Sequence, residues 1–120
     1  MLVFIVEDNT ALALVYTEAL NHAGFETEVV TDGREALARL DTLSPDLFLL
    51  DMNLPHVSGH YLLQQIRSEA RFATTPIIIA TANTVLAEAL RPELDERCEL
   101  FIKPLRPTDL IAVARRLCGE

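Results

Sequence analysis

The sequence predicts an α/β fold in which five β-α units form a doubly wound parallel sheet. Four apolar runs lack any polar alternation, which is typical of strands that are buried on both faces. These runs lie at residues 3–6, 47–50, 77–80 and 100–102. Apolar residues at helical spacing separate the runs, and right-handed crossovers would place the helices on both faces of the sheet.

Four of the five helices are indicated by an apolar stripe, and residues that end a helix mark the first two of them. The stripes are Leu12, Val15, Ala19 and Leu20 in the first helix, Ala36, Leu37, Leu40 and Leu43 in the second, Leu62, Leu63 and Ile66 in the third, and Leu110, Val113, Ala114 and Leu117 in the fifth. Gly24 marks the end of the first helix, and Ser44-Pro45 marks the end of the second. The fourth helix is only bracketed, between Thr84 and Glu96.

The remaining segments predict one further strand and the turns. Residues 26–30 form a more polar strand, which suits the edge of a sheet. Thr31-Asp32-Gly33 predicts a turn, residues 53–59 with Pro55 predict a loop, and Thr75-Pro76 leads into the fourth strand.

Length and composition favour one globular domain. A chain of 120 residues, 50% of them hydrophobic, predicts a single domain over residues 1–120 with a substantial core. No apolar stretch approaches a membrane span, and the strand that follows Met1 predicts no targeting segment. Cys98 and Cys118 form no CxxC pair, which favours free thiols and a cytoplasmic location.

The charge balance argues against one class of partner. The formal net charge is −8, whereas DNA binding needs Lys and Arg side chains that replace phosphate counterions. Arg115-Arg116 is a short basic pair, which we interpret as a solvated helix face or a favourable charge near a helix C-terminus. We therefore expect no intrinsic nucleic-acid binding and no membrane contact.

Each of the four apolar runs is followed by one or two residues that could take part in chemistry. These residues are Glu7-Asp8, Asp51, Thr81 and Lys103. Because ligands of open parallel sheets bind beyond the carboxyl ends of the strands, we expect these side chains to meet in one crevice. Clustered carboxylates repel one another unless a cation joins them, and Mg²⁺ prefers such oxygen ligands.

This set of side chains suits the transfer of a phosphoryl group. A carboxylate beside a divalent cation is a candidate nucleophile toward phosphorus and would form an aspartyl phosphate. Lys103 could neutralise one phosphoryl oxygen, and the Thr81 hydroxyl could donate a hydrogen bond to another. Phosphoryl transfer needs mainly positioning and charge neutralisation, so these few groups are sufficient.

The chain resembles the receiver domains of two-component response regulators, the CheY-like family. The matching segments are Phe4-Ile5-Val6-Glu7-Asp8-Asn9, Leu50-Asp51-Met52-Asn53-Leu54-Pro55 with Gly59, Thr81-Ala82, and Lys103-Pro104. The resemblance covers essentially the whole chain. It implies a flavodoxin-like sheet with the strand order 2-1-3-4-5.

The resemblance also implies a role for each site residue. Asp51 would be the phosphoacceptor, and Thr81 and Lys103 would hold the phosphoryl group. The metal site for Mg²⁺ would consist of Asp8, Asp51, Glu7 (directly or through water) and the backbone carbonyl of Asn53. A cis peptide bond would precede Pro104, although a trans proline at a helix start remains an alternative.

The implied partners follow from the same resemblance. A histidine kinase or a histidine phosphotransfer protein would supply the phosphoryl group, and a downstream protein or effector domain would receive the signal. A homodimer is also possible. The domain would act as a switch or relay with some chemistry of its own, not as an enzyme with a metabolite substrate.

Several positions depart from the family pattern or leave an alternative open. Leu100 replaces the usual aromatic residue, Glu96-Arg97 replaces the usual Gly-Ala pair, and Pro92 interrupts the fourth helix. These changes fall on the face that commonly carries the signal, so the sequence predicts intact chemistry with an altered output. His56 and His60 could form a zinc pair, but no other ligand lies nearby in the sequence.

Two other functions remain as alternatives. A pseudo-receiver would bind a protein without being phosphorylated, which the complete set of site residues argues against. A metal-dependent phosphatase with an aspartyl nucleophile would need a longer chain and a second acid two residues after the nucleophile. That position is occupied by Asn53.

Overall fold

The computed structural model describes residues 1–119 and shows five parallel strands in one sheet. Glu120, the last residue of the expected domain, lies outside the described residues. The strands are β1 (Leu2–Val6), β2 (Glu26–Val30), β3 (Leu47–Asp51), β4 (Ile77–Thr81) and β5 (Cys98–Ile102). Their order is β2-β1-β3-β4-β5, so the expected topology is confirmed.

Five α-helices alternate with the strands. They are α1 (Thr10–His22), α2 (Gly33–Arg39), α3 (Gly59–Ser68), α4 (Thr84–Leu90) and α5 (Pro107–Leu117). Short 3₁₀ turns follow α3 at Ala70–Phe72 and α4 at Arg91–Glu93. The proline expected to interrupt the fourth helix lies in the second of these turns.

Local sequence explains where these helices begin. The side chains of Asn9, Asp32, Ser58 and Asn83 each accept a hydrogen bond from a backbone N–H in the first turn of the following helix. Such caps satisfy donors that a helix leaves unpaired at its N-terminus. The helix α1 ends before Gly24, whose φ of 98° requires a residue without a side chain.

Two hydrophobic layers cover the two faces of the sheet. One contains Phe4, Phe48 and Ile77 and packs against α2, α3 and Leu90 of α4. The other contains Val3, Ile5 and Leu49 and packs against α1 and α5. Every residue of β3 and β4 is buried, because helices lie on both sides of these central strands.

The apolar stripe expected for α1 is wrong in part. Its buried residues are Ala13, Tyr16 and Leu20, whereas Val15 is 43% exposed. A helix of continuous apolar residues offers more than one stripe, so spacing alone did not determine which residues face the sheet. In α2, Ala36 is buried as expected, but the helix ends at Arg39, well before the proposed stop.

The strand register brings the polar strand ends to a common level. Val6 of β1 lies opposite Leu50 of β3, so the residues that follow them, Glu7 and Asp51, are neighbours. Across the next two pairs, Asp51 lies opposite Ala80, and Thr81 lies opposite Ile102. The sheet therefore delivers all of these side chains to one edge.

Two further structural expectations can be compared with the described residues. No helix within residues 1–119 is long and apolar enough to cross a membrane. Cys98 and Cys118 form no disulfide in this part of the chain.

Candidate functional site

An open cleft with a volume of about 670 Å³ lies at the carboxyl edge of the sheet. Its lining includes every residue that the sequence proposed for the site: Glu7, Asp8, Asp51, Asn53, Thr81 and Lys103. The loops that follow β1, β3 and β4 form its rim, and Leu12 and Leu86 provide apolar walls from α1 and α4. The expected convergence of these side chains is therefore found, while their individual roles remain predictions.

Lys103 bridges two buried carboxylates at the bottom of the cleft. Its Nζ donates a hydrogen bond to Glu7 Oε1 at 2.7 Å and lies 3.6 Å from Asp51 Oδ1. Glu7 is 2% exposed and Asp51 is 5% exposed, so water screens these charges poorly. The sequence did not indicate that the ammonium group would lie closer to Glu7 than to Asp51.

Burial and nearby charges shift the pKa values of Asp51 and Lys103. Burial, followed by the nearby charge of Glu7, raises the pKa of Asp51 from 3.8 to about 7. The N–H of Asn53, which donates to Asp51 Oδ1 at 3.2 Å, and the charge of Lys103 oppose that rise. Burial lowers the pKa of Lys103, but its hydrogen bond to Glu7 and the charge of Asp51 outweigh burial and raise it.

The acidic cluster fits a divalent cation. Ligand oxygens of Glu7, Asp8 and Asp51 all lie within 4.8 Å of one another, and Asp8 is exposed toward the cleft. One amine cannot neutralise three carboxylates, and hard oxygen ligands are those that Mg²⁺ prefers. Within residues 1–119 this is the only group of three or more side chains suited to a metal.

Thr81 is held in place by the backbone around it. The N–H of Asn83 donates to the hydroxyl oxygen of Thr81 at 3.1 Å, and Thr81 is 1% exposed. The backbone carbonyl of Thr81 accepts from the N–H of Lys103 at 2.8 Å, which couples the ends of β4 and β5. The hydroxyl is therefore held by the residue that caps α4, and the backbone that carries it is tied to the end of β5.

The close approach of the loop after β3 depends on Gly59. A Cβ atom at this position would lie 2.3 Å from the carbonyl oxygen of Asp51 and 2.5 Å from Cα of Met52. The first turn of α3 can therefore contact the end of β3 only because this residue has no side chain. On the other side of the cleft, the peptide bond between Lys103 and Pro104 is cis, as expected.

Sequence analysis missed one polar group beneath the cleft. Tyr16 of α1 is 1% exposed, and its hydroxyl makes no hydrogen bond within the described residues. Its spacing from Leu12 and Leu20, four residues on either side, was the available signal. A tyrosine in the middle of a buried apolar stripe brings a polar atom into the core.

The surface formed by α4, the turn Arg91–Glu93 and β5, which we call the β5–α4 face, is less buried than the cleft floor. No residue of β5 is buried, and Leu100 packs only partly against the first hydrophobic layer. Phe101 lies on the other side of β5, where it is half-buried against the second layer. Glu99 forms an exposed ion pair with Arg116, at 2.6 Å, as expected for a basic pair on a solvated helix face.

The two histidines near the cleft do not form a metal pair. His56 Nδ1 lies 3.6 Å from Asp32, whereas His60 Nε2 lies 2.9 Å from Glu93. These acids belong to different elements on opposite sides of α3. The structure therefore supports the view that no zinc site lies here.

Comparison with known sequences identifies the family. The sequence model of the family described as "Response regulator receiver domain" matches residues 3–115. The chain is 32% identical over 113 residues to the DNA-binding response regulator MtrA of Mycobacterium tuberculosis (strain ATCC 25618 / H37Rv), covering 94% of this chain and 48% of that protein. It is 34% identical over 108 residues to the phosphate regulon transcriptional regulatory protein PhoB of Rhizobium meliloti, covering 90% of this chain and 48% of that protein.

Comparison with solved structures gives the same result. The chemotaxis response regulator CheY4 of Vibrio cholerae has a TM-score of 0.81 and 26% identity, covering 97% of both chains. The receiver domain of the sensor histidine kinase PA1611 from Pseudomonas aeruginosa PAO1 has a TM-score of 0.86 and 25% identity, covering 99% of this chain and 98% of that chain. In that neighbour a magnesium ion is coordinated in the active site cleft.

These relatives correct the expectation about partners and establish the family. The expectation of no intrinsic nucleic-acid binding is wrong, because several curated relatives are DNA-binding response regulators. This chain spans about half the length of the curated relatives it matches, so its net charge says nothing about the rest of those proteins. The match over residues 3–115, together with the sheet order and the converging strand ends, shows that the chain belongs to the response regulator receiver domains of two-component signalling.

Proposed function

We propose that this domain is a phosphorylation switch or relay in which Asp51 accepts a phosphoryl group from a phosphohistidine donor. The observation that carries the proposal is the arrangement around Asp51. Its carboxylate is buried at the floor of an open cleft, 3.6 Å from a lysine ammonium group and beside two further acids. A carboxylate held in this way has a cationic partner for an incoming phosphoryl group and an open approach from solvent.

The proposed transfer makes one bond and breaks another. A carboxylate oxygen of Asp51 attacks phosphorus, and the P–N bond of the phosphohistidine breaks with its electron pair leaving on the imidazole. Lys103 Nζ, held at the floor of the cleft, neutralises a phosphoryl oxygen. The Thr81 hydroxyl, fixed by the N–H of Asn83, donates to another. Water later attacks phosphorus, the bond between phosphorus and the Asp51 oxygen breaks, and inorganic phosphate leaves, which restores the carboxylate.

Mg²⁺ is the proposed cofactor, held by Asp8 and Asp51, with Glu7 and the carbonyl of Asn53 completing the protein ligands. When bound, it neutralises the clustered carboxylates and the phosphoryl oxygens that would otherwise repel them. The chain itself supplies the carboxylate cluster, in which burial, followed by the charge of Glu7, raises the pKa of Asp51 to about 7.

The proposed target of the switch is inferred from the curated relatives. Because DNA-binding response regulators match this chain over about half their length, control of a DNA-binding domain is part of the proposal. We propose that this chain acts as a signalling switch, and that its own chemistry is limited to gaining and losing one phosphoryl group.

Incubation with acetyl phosphate and Mg²⁺, followed by intact-mass measurement, tests the proposal. The chain should gain the mass of one phosphoryl group, and peptide mapping after reduction with borohydride should place it on Asp51. Asp51→Asn should not be labelled, because an amide does not attack phosphorus. Asp41→Asn makes the same chemical change at an exposed position outside the cleft and should be labelled like the wild-type chain.

Two results would contradict the proposal in different ways. Full labelling of Asp51→Asn would move the phosphoacceptor to another residue. No labelling of the wild-type chain by acetyl phosphate or by any phosphohistidine donor would favour a protein-binding module without phosphorylation.

A further inference from the structure

The hydroxyl group of Tyr16 is an isolated polar atom next to the charged floor of the cleft. The residue is 1% exposed and packs in the hydrophobic layer between the sheet, α1 and α5. Within residues 1–119, its Oη is the only buried side-chain nitrogen or oxygen atom without a hydrogen-bond partner. A buried polar atom without a partner destabilises a fold, so its presence calls for an explanation.

The geometry of α1 directs this side chain toward the site. The helix begins at Thr10, directly after the cleft residues of β1, and helical side chains lean toward the N-terminus of their helix. Leu12, which lines the cleft, is one turn closer to that N-terminus. One turn is about 5 Å of rise, so the ring of Tyr16 extends from the core toward the underside of the cleft.

Tyr16 packs in the same layer as Ile5, whose side chain lies on the same side of β1 as that of Glu7, and the electrostatics of the hydroxyl agree with this placement. Burial raises the pKa of Tyr16, the charge of Lys103 lowers it, and the charges of Glu7 and Asp51 raise it further. Tyr16 in turn helps to raise the pKa of Lys103. The phenol therefore lies within the electrostatic range of the cluster from below, while the cleft opens to solvent above it.

The proposed phosphorylation would change what surrounds this hydroxyl. At present Lys103 donates to Glu7 Oε1 at 2.7 Å, and the N–H of Asn9 donates to Glu7 Oε2 at 3.2 Å. If Lys103 turns to a phosphoryl oxygen, Glu7 Oε1 loses its donor although it is buried. Where Glu7 meets the cation through water or through Oε2, Oε1 is still left without a donor, and an unpaired buried carboxylate oxygen is costly, which would oppose the movement of the lysine.

We propose that Tyr16 is a positioning residue whose hydroxyl donates to Glu7 when Lys103 engages the phosphoryl group. The inference rests on the proposed function, since it describes how the resting and phosphorylated arrangements of the same site exchange. In the resting state the hydroxyl has no partner and Glu7 is paired with Lys103. In the phosphorylated state the phenol replaces the ammonium group at Glu7, and the polar atoms of the floor remain paired.

Tyr16→Phe tests this inference because it removes one oxygen atom and keeps the ring. Beryllofluoride, a phosphoryl mimic, is titrated with Mg²⁺ into the wild-type chain, Tyr16→Phe and Tyr61→Phe. Tyr61 makes a matched control, since it is 48% exposed on α3 and does not line the cleft. We expect Tyr16→Phe to weaken beryllofluoride affinity roughly tenfold, as for the loss of one hydrogen bond to a charged group. Tyr61→Phe should bind like the wild-type chain.

A second measurement follows the hydroxyl itself. In the Tyr61→Phe background, Tyr16 is the only tyrosine, so a ¹³Cζ-tyrosine label gives a single NMR signal. This signal should shift when beryllofluoride and Mg²⁺ are added, because the hydroxyl gains a charged acceptor. A purely structural tyrosine would give an unchanged signal and unchanged affinity, and Tyr16→Phe would then only raise the melting temperature.

The outcomes separate this inference from the proposed function. Beryllofluoride binding to the wild-type chain with equal binding to Tyr16→Phe would overturn the role of Tyr16 and leave the proposed function intact. An unshifted ¹³Cζ signal would overturn it independently of any change in the stability of the variant. Failure of the wild-type chain to bind beryllofluoride would refute the proposed function, and the inference with it.

Discussion

The floor of the cleft and the β5–α4 face belong to the same sheet but are built in opposite ways. Every residue of β3, which ends at Asp51, is buried, whereas none of the five residues of β5 is buried. Charged groups in the cleft lie in a poorly solvated pocket. Those on the outer strand β5 are better solvated, and the pair of Glu99 with Arg116 of α5, on the other side of β5 from α4, lies largely in water.

This difference indicates which part of the domain tolerates sequence change. A group at the cleft floor is fixed by strands on both sides and interacts with strong, weakly screened charges. A residue on the β5–α4 face has fewer fixed contacts, so substitution there changes packing only slightly. The departures from the family pattern at Pro92, Glu96-Arg97 and Leu100 fall on or beside that face, and none falls on the cleft floor.

The sharpest test of this contrast compares two ion pairs of nearly equal length. Lys103→Met removes the partner of buried Glu7, at 2.7 Å, and Arg116→Met removes the partner of Glu99, at 2.6 Å. Without Mg²⁺ at pH 8, we expect Lys103→Met to lower the free energy of unfolding by about 3 kcal/mol, because a buried charge loses its partner. Arg116→Met should cost less than about 1 kcal/mol.

Urea unfolding monitored by circular dichroism measures both changes. The deficit of Lys103→Met should shrink toward pH 5, because without Lys103 the Asp51 carboxyl takes up a proton more readily and the repulsion falls. Equal losses in the two variants would show that burial does not distinguish the two regions.

Asp51→Asn should have the next largest effect, and in the opposite direction. The folded-state pKa of Asp51 is about 7, against an ordinary value of 3.8, so the metal-free fold disfavours its charge. We expect the variant to be more stable than the wild-type chain by a few kcal/mol at pH 8, where the carboxylate is charged, since each unit of the pKa shift corresponds to about 1.4 kcal/mol. Differential scanning calorimetry with a chelator present measures the difference.

The pH dependence provides the control for that prediction. Below pH 3.8 the carboxyl is protonated in both the folded and the unfolded state and costs nothing. As pH rises from about 4 to about 7, the folded state holds more protons than the unfolded state, so the stability of the wild-type chain should fall. Asp51→Asn should lack this slope. A variant that is less stable than the wild-type chain across the whole range would identify Asp51 as a structural partner.

Asp8 should contribute mainly to metal binding, since it is exposed and the other two acids are buried. We expect Asp8→Ala to weaken Mg²⁺ binding at least about tenfold, measured by isothermal titration calorimetry, and to slow phosphorylation in parallel. Its gain in metal-free stability should be smaller than that of Asp51→Asn. Asn53→Ala should be mild, because it keeps the backbone carbonyl. Unchanged Mg²⁺ affinity in Asp8→Ala would exclude it from the ligand set.

The apolar runs in the sequence were sufficient to predict the sheet and the position of the cleft. Runs such as 47–50 and 77–80 consist only of apolar residues, and parallel topology then brings their polar ends together. Prediction failed where several residues could fill the same role. In α1, neighbouring apolar residues offered two stripes, and packing against the sheet selected Tyr16 rather than Val15.

Charge pairing in the site could not be predicted for a different reason. Lys103 is separated from Glu7 by most of the chain, and its flexible side chain can reach either carboxylate. Burial, distances and local charges decide between them, and a sequence carries none of these quantities. The partners of the domain were also beyond the sequence, since a net charge of −8 describes this domain alone.

The smallest expected effect concerns the β5–α4 face itself. Leu100 occupies a position where the family usually has an aromatic ring, and it is only half-buried against the first hydrophobic layer. A leucine cannot reproduce the displacement of a large ring with a polar tip. We therefore expect beryllofluoride with Mg²⁺ to cause smaller NMR shifts at residues 92–107 than around Asp51 and Thr81.

Leu100→Tyr tests the cause of that muted response. If the missing ring limits the movement, the variant should show larger shifts on the β5–α4 face, while phosphorylation by acetyl phosphate stays nearly unchanged because Leu100 does not line the cleft. Ile102→Tyr is a control that adds a ring to the same strand at a position already 39% exposed, and it should leave the response as it is. Wild-type shifts at residues 92–107 as large as those around Asp51 would instead mean that leucine switches by repacking. The contrast between a fixed chemical floor and a weakly coupled face would then not hold.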